Sequence, residues 1–216
     1  MKHYYEKKYP YLQYRYTDTD GECIMFSVPP KFLSLYYQNY FGKKPETFFD
    51  CGAATGVVVK LAMDAGMDAR GIDIKKYPEQ HQTNFLMKSG NMLIRYPNAG
   101  IPELFKSGRV EIKSIMDCEP IKADIAYCNG ALTYFPERQI PKVLSKFRNV
   151  GIFFAIHNTT EDIDAAKQMG QNLTTCNKTL TLRPNKWWNR VFAENGFDVD
   201  FNPILHCFVA VPKKSR

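Results

Sequence analysis

The sequence has no long apolar run. Stretches such as 151–156 fall far short of the roughly 20 residues that cross a bilayer, and the start MKHYYEKKYP lacks the apolar centre of a secretory leader. Both absences point to a cytoplasmic chain with no membrane partner. The six cysteines, Cys23, Cys51, Cys118, Cys128, Cys176 and Cys207, form no CxxC pair and no Cys/His spacing that closes a tetrahedral zinc site. They read as reduced thiols, and no metal is expected. Sequons at Asn158, Asn172 and Asn177 would matter only in a secreted chain and read as chance matches. There is no internal repeat and no low-complexity linker. With 216 residues, 44% hydrophobic and 24% charged, the composition is that of an ordinary globular domain, which excludes fibrous repeats and wholesale disorder. Nor is there an arginine cluster or basic stripe. The net charge of +7 gathers at the ends, with 7 basic and 4 acidic residues over 1–45 and 12 and 7 over 136–216. That balance is compatible with a nucleic-acid partner without favouring one.

What is present is organised in two parts. Residues 1–45 are a tyrosine-rich extension, with Tyr4, Tyr5, Tyr9, Tyr11, Tyr14 and Tyr16 among lysines and no clear strand or helix period before a Thr/Asp/Gly turn at 17–21. It reads as a lid or a docked arm. A short strand at 23–28 and a helix at 31–40 follow, the latter entered through Pro29-Pro30 and stopped near Gly42. Residues 46–216 then alternate regularly. Strands are expected at 47–51, 69–74, 110–115, 123–128 and 151–156, with helices at 56–65, 137–148 and 186–195 and a partly helical stretch at 79–95. Runs at 198–201 and 205–211, around Asn202-Pro203, predict an antiparallel pair. Apolar strands alternating with helices predict a doubly wound α/β fold, three layers thick, its sheet mostly parallel.

The stretch that carries chemistry is Phe48-Phe49-Asp50-Cys51-Gly52-Ala53-Ala54-Thr55-Gly56, followed by a helix and then Gly71-Ile72-Asp73-Ile74. A glycine turn between strand and helix lets a ligand approach the main chain, and the helix start offers unbonded N–H groups to an anionic group. Asp73, 21 residues beyond Gly52, ends the second strand, where a carboxylate can accept both hydrogen bonds of a ribose diol. The G-x-G-x-x-G of dinucleotide folds is missing, because Ala54 and Thr55 stand between Gly52 and Gly56. Asp50 would repel a pyrophosphate but suits a ligand bearing an ammonium and a sulfonium. These features point to S-adenosylmethionine.

The chain thus resembles the class I S-adenosylmethionine-dependent methyltransferases over about 46–211, through an acid, one residue, Gly, three residues and Gly from Asp50 to Gly56. The resemblance implies a Rossmann-like seven-stranded sheet with an antiparallel last strand. It implies that Asp50, Gly52, Ala53 and Gly56 surround the methionine part of the cofactor and that Asp73 binds the ribose. Ile74 would pack on the adenine, Met116 cover it and Asp117 contact its amino group, although a loop aspartate before Cys118-Glu119-Pro120 is also simply solvated. Cys128 and Asn129, ending the fourth strand, would face the transferred methyl.

The acceptor half is less legible. Amino-methylating nucleic-acid enzymes carry prolines after the fourth strand that grip a flipped base, and Asn129-Gly130-Ala131-Leu132 lacks them. The run 131–136 looks more like the small-molecule members. The expectation is therefore methyl transfer to an O or N atom of a small molecule. A protein or RNA methyltransferase, and a non-catalytic or cofactor-cleaving member of the fold, remain alternatives. His157, ending the fifth strand, is the best placed general base of four histidines, though such a histidine equally often bonds a carbonyl. Tyr134, Phe135 and Trp187 are expected to wall the acceptor site, with core packing the competing role for Trp187 and Trp188.

Overall fold

In the computed structural model, the residues described are 11–18, 21–74, 85–89, 92–96, 101–168, 179–203 and 205–213. The strands are β1 (Tyr11–Asp18), β2 (Gly21–Ser27), β3 (Thr47–Cys51), β4 (Asp68–Asp73), β5 (Phe85–Ser89), β6 (Met92–Tyr96), β7 (Val110–Ile112), β8 (Ile125–Asn129), β9 (Ile152–Ile156), β10 (Phe197–Asn202) and β11 (Cys207–Pro212). The helices are α1 (Pro30–Phe41), α2 (Val57–Asp64), α3 (Ile101–Lys106), α4 (Ile140–Ser145), α5 (Thr160–Gln168) and α6 (Asn185–Glu194).

Seven strands form one sheet in the order β7-β4-β3-β8-β9-β11-β10. Pairing is parallel from β7 to β9, whereas β11 runs antiparallel to both β9 and β10. The expected doubly wound sheet with an antiparallel last strand is therefore present. Its central strands carry apolar residues on both faces because both are covered. In β9, Ile152 and Phe154 face Leu33 and Tyr37 of α1 and Val58, Val59 and Ala62 of α2. Phe153 and Ala155 face Val143 and Leu144 of α4 and Trp188 and Phe192 of α6. Phe153 stacks on Phe147 with ring centres 4.3 Å apart; burying a ring of this size contributes about 1.5–3 kcal/mol.

At the opposite edge from the glycine turn, Asp124 ties three elements together. Its carboxylate accepts from the Tyr37 hydroxyl (2.9 Å), the Glu46 amide (2.7 Å) and the Thr47 amide (3.1 Å) and hydroxyl (3.2 Å). Burial alone would raise this carboxyl, but those hydrogen bonds hold it below the usual range.

Two expectations are corrected. Residues 11–18 are a strand, paired with β2 in a register that sets Asp18 opposite Gly21, and also with β5. The stretch expected to be partly helical contains the hairpin β5–β6, with Ser89 opposite Met92. The apolar triplets 85–87 and 92–94 are too short for period to separate helix from strand. The Gly90-Asn91 pair between them is a hairpin signature that outweighs a weak helical pattern. Together these strands make a second, four-stranded antiparallel sheet, β2-β1-β5-β6. Of the tyrosines behind the lid or arm reading, Tyr11, Tyr14 and Tyr16 lie in β1, whereas Tyr4, Tyr5 and Tyr9, like Asn172 and Asn177, lie outside the described residues. Elsewhere the strand expected at 110–115 stops at Ile112, and Ser114 caps a 3-10 turn, Ile115–Asp117. The helix expected at 137–148 is a 3-10 turn running into α4, with Pro141 in the first helical turn.

Candidate active site

The strand order reverses between β3 and β8, so the crevice at their carboxyl ends is the topological switch point where α/β sheets bind ligands. Asp50 ends up buried there, level with Gly71 of β4 and Tyr127 of β8. The turn that follows is fixed by its own main chain. The amides of Gly52 and Ala53 both donate to the Ile72 carbonyl at 2.9 Å, and Gly56 closes the turn by donating to Ala53 at 2.7 Å. Gly52 and Gly56 have φ of +89° and +84°, a region that side chains disfavour, and a Cβ on Gly52 would lie 2.8 Å from that of Ala131. The loop after β8 and the glycine turn therefore touch only because residue 52 has no side chain. Gly56 caps α2 without a side-chain acceptor, which leaves the first N–H groups of the helix to other partners.

The electrostatics are acidic. Asp73, ending β4, accepts a 2.8 Å hydrogen bond from the Ala54 amide. Burial, and then the Asp73 carboxylate, push the Asp50 carboxyl well above the usual range. Its Oδ1 is buried with no hydrogen-bond partner. Two carboxyls at a glycine turn, one of them orphaned, form a site that a cationic ligand group would complete.

The remaining expected cofactor residues gather along the same edge. Ile74, directly after Asp73, is 74% exposed, unusual for an isoleucine. Met116 is half-buried and Asp117 exposed in the 3-10 turn after β7. Cys128 stands level with Cys51 on β3, and Asn129 level with Ile156 on β9. The Cys51 thiol is pushed well up, first by its hydrogen bond with Cys128 and then by burial.

After β8, Gly130 (φ +78°) starts the 3-10 turn Ala131–Tyr134. Tyr134 is 40% exposed, whereas Phe135 packs on the core. The segment before α6 is stitched to this loop. The Leu180 and Thr181 amides donate to the Thr133 carbonyl at 2.8 and 3.0 Å, and the Thr181 hydroxyl to the Phe135 carbonyl at 2.6 Å. That brings the start of α6, with half-buried Trp187 set edge-on to buried Trp188, to the same edge. Thr133 and Thr181 carried no sequence signal, because an ordinary threonine in a loop has none.

His157 follows β9 directly and is buried, its ring 4.0 Å from that of Trp188 and stacked at 4.9 Å on Phe208. Burial holds its imidazole down to about 3, with Asp162 opposing that shift and His206 adding to it. Such a ring is neutral at physiological pH and accepts a proton poorly. Its neighbour is a second pair missed in the sequence. Asp162 of α5 accepts from the Thr159 amide (2.7 Å) and hydroxyl (2.8 Å) and lies 3.1 Å from Nε2 of His206. Burial would raise the Asp162 carboxyl, but these bonds keep it lowered. His206 has φ +46°, one of two non-glycine positive values among the described residues; the other is Ala54, in the glycine turn. Among the described residues no three His, Cys, Asp or Glu side chains cluster as metal ligands.

No protein-family model matches the chain, and no curated protein matches it in sequence. Solved structures do match in fold. The Burkholderia thailandensis 1,6-didemethyltoxoflavin-N1-methyltransferase, with bound 1,6-didemethyltoxoflavin and S-adenosylhomocysteine, superposes with a TM-score of 0.54 over 88% of this chain and 80% of its own, at 13% identity. The fold is that of the S-adenosylmethionine-dependent methyltransferases. The sugar N-methyltransferase KedS8 from Streptoalloteichus gives a TM-score of 0.59 at 11% identity, covering 86% of this chain and 87% of its own. The small RNA methyltransferase HEN1 gives 0.56 at 10% identity, but only 25% of its chain is covered. Among the described residues no helix is long and apolar enough to cross a membrane.

Proposed function

We propose that the protein is an S-adenosylmethionine-dependent methyltransferase that methylates an O or N atom of a small molecule, with 46–216 as the catalytic domain and 1–45 as an extension. The observation that carries this reading is the orphaned, buried carboxyl oxygen of Asp50 beside Asp73 at the glycine turn. That pair suits a cofactor with an ammonium and a sulfonium, and the clearance at Gly52 suits close approach of the cofactor to the main chain. Asp50, Gly52, Ala53 and Gly56 would hold the methionine part, Asp73 the ribose, and Ile74, Met116 and Asp117 the adenine. Cys128 and Asn129 would border the methyl. The bound cofactor supplies an activated methyl group on sulfur; the chain aligns the acceptor behind it and excludes water. Tyr134, Phe135 and Trp187 would line the acceptor side. His157, held neutral, would serve the acceptor by hydrogen bonding rather than by taking its proton. A small-molecule acceptor agrees with what two of the structural neighbours are named for, and the absence of the prolines that clamp a flipped base argues in the same direction.

The test is binding by the Asp73→Ala variant. Hydrogen bonds to a charged group contribute about 1.5–3 kcal/mol, so affinity for S-adenosylhomocysteine should fall about 10- to 150-fold. Unchanged affinity would refute the ribose assignment.

A further inference from the structure

The four-stranded sheet β2-β1-β5-β6 contributes nothing to the glycine turn, yet its register sorts its residues by chemistry. Residues directly opposite in an antiparallel pair share a face, and neighbours along a strand alternate between faces. Met25, Tyr14, Phe85 and Tyr96 therefore form one row across all four strands on one face. The next row on that face runs through Ser27, Leu12, Met87 and Ile94. Four of the five charged residues in these strands, Arg15, Glu22, Lys88 and Arg95, fall on the other face; the fifth, Asp18, is at a hairpin end. An antiparallel sheet patterned in this way wets its charged face and covers its apolar one.

Chain connectivity says what lies near enough to be covered. β2 leads into α1 through residues 28–29, and β6 into α3 through 97–100. At full extension those links reach only about 10 and 18 Å. α1 ends at the amino edge of the large sheet, where Tyr37 meets Asp124 and the chain turns into β3, so its start lies toward the carboxyl edge. α3 lies against the glycine turn, since a Cβ on Gly56 would be 3.0 Å from Leu104. β5 is reached from Asp73, at the carboxyl end of β4. All three connections tether the small sheet to the edge that carries the glycine turn.

That edge offers apolar surface in return. Among the described residues, Ile74, Ile112, Tyr134 and Leu180 are large apolar side chains left exposed there. Ile112 ends β7 level with Asp73, and Leu180, 62% exposed, is held by its amide to Thr133 in the turn after β8. On the proposed reading adenine covers Ile74, whereas Tyr134 and Leu180 flank the end of β8, where the acceptor would enter. Two apolar surfaces tethered to face one another suit an apolar guest, and the aromatic residues among them suit flat rings. A charged guest would meet neither hydrogen-bond partners nor countercharge on the Tyr14 face.

We infer that the Tyr14 face of the four-stranded sheet roofs the carboxyl edge beside Tyr134 and Leu180, and that the molecule held between them is a predominantly apolar, aromatic methyl acceptor. This rests on the methyltransferase reading for the word acceptor; the roofed apolar site does not require the cofactor.

The experiment is ligand-detected NMR on the full chain, with 2-naphthol as an apolar aromatic probe and glucose as a polar one. S-adenosylhomocysteine binding and the sedimentation coefficient are measured on every protein. Tyr14→Asp puts a charge in the middle of the apolar row. Leu180→Asp alters the opposing rim at an exposed position, where folding does not depend on the side chain, and Lys88→Glu is the control on the wetted face. The expected result is binding of 2-naphthol and not of glucose by a monomer. Tyr14→Asp and Leu180→Asp should each weaken it by about tenfold or more and Lys88→Glu by less than about twofold, with S-adenosylhomocysteine affinity unchanged throughout. Failure of wild type to bind 2-naphthol while it binds S-adenosylhomocysteine would overturn the inference and leave the methyltransferase reading standing. Equal binding of glucose, or 2-naphthol binding indifferent to Leu180→Asp, would overturn it too. A dimer that Tyr14→Asp dissociates would give the apolar face to a second copy of the chain and likewise overturn it. Binding of 2-naphthol that depends on both residues, in a protein that does not bind S-adenosylhomocysteine, would uphold the roofed site and refute the methyltransferase reading instead.

Discussion

Burial of His157 makes a quantitative demand on the pH dependence of folding. Its imidazole titrates near 6.5 in the unfolded chain but is held down to about 3 in the folded one. Below pH 6.5 the unfolded state therefore binds a proton that the folded state does not, and stability must fall as pH falls. At pH 5 the unfolded imidazole is 1.5 units below its own midpoint, which at about 1.36 kcal/mol per unit costs about 2 kcal/mol relative to pH 8. The charged or titratable groups facing His157 are Asp162 from α5 and His206 from the turn before β11. Both remain in the His157→Phe variant, whose phenyl ring can stack on Phe208 as the imidazole does. Urea unfolding of wild type and variant at pH 8 and pH 5 gives four free energies. The loss on acidification should be about 2 kcal/mol larger for wild type than for the variant. Equal losses would mean that the imidazole is accessible to protons in the folded state, which would restore His157 as a base.

Further consequences follow from other parts of the structure. Asp124→Ala removes the acceptor of four hydrogen bonds and leaves the Tyr37 hydroxyl without its partner, so it should cost about 3 kcal/mol in urea unfolding. Because the Asp124 carboxyl is held low, its contribution is present above about pH 4 and fades as pH drops through its folded value, so wild type and variant should converge in stability in acid. Gly52→Ala forces a side chain into φ +89° and against Ala131; it should lower stability by about 2 kcal/mol, as strained backbone does, and weaken S-adenosylhomocysteine binding in calorimetry. The hydrogen bond with Cys128 and then burial raise the Cys51 thiol, and burial alone raises that of Cys207. Mass spectrometry after brief alkylation at pH 8 should therefore find both unmodified in folded protein and modified in urea.

The sheet was legible in the sequence because its strands are short apolar runs punctuated by glycine and alternating with helices, a pattern that a parallel sheet imposes. The glycine turn that gathers Asp50, Gly52, Gly56 and Asp73 was legible because it depends on local spacing along one strand-turn-helix-strand unit. The second sheet was not. Its pairing of β1 with β5 joins residues some 70 positions apart, and nothing local in a tyrosine-rich segment announces a partner at that distance. The surroundings of His157 were obscure for the same reason. His157, Trp188 and Phe208 come from three elements that only the folded sheet edge unites, and the stitching of Thr181 to Thr133 relies on main-chain carbonyls that no sequence motif encodes. Helix α5 escaped because its apolar positions are few between the charged residues 161–167. The Asp162–His206 pair escaped because aspartate and histidine 44 residues apart form no motif.

The central claim is that the acidic glycine turn holds an S-adenosyl cofactor. Calorimetric titration of S-adenosylhomocysteine into the purified full chain, with NAD as the control, tests it directly. Saturable one-to-one binding of S-adenosylhomocysteine and none of NAD is the predicted result. Absence of S-adenosylhomocysteine binding to folded protein would contradict the assignment of Asp50 and Asp73, and would leave the chain with a methyltransferase fold put to another use.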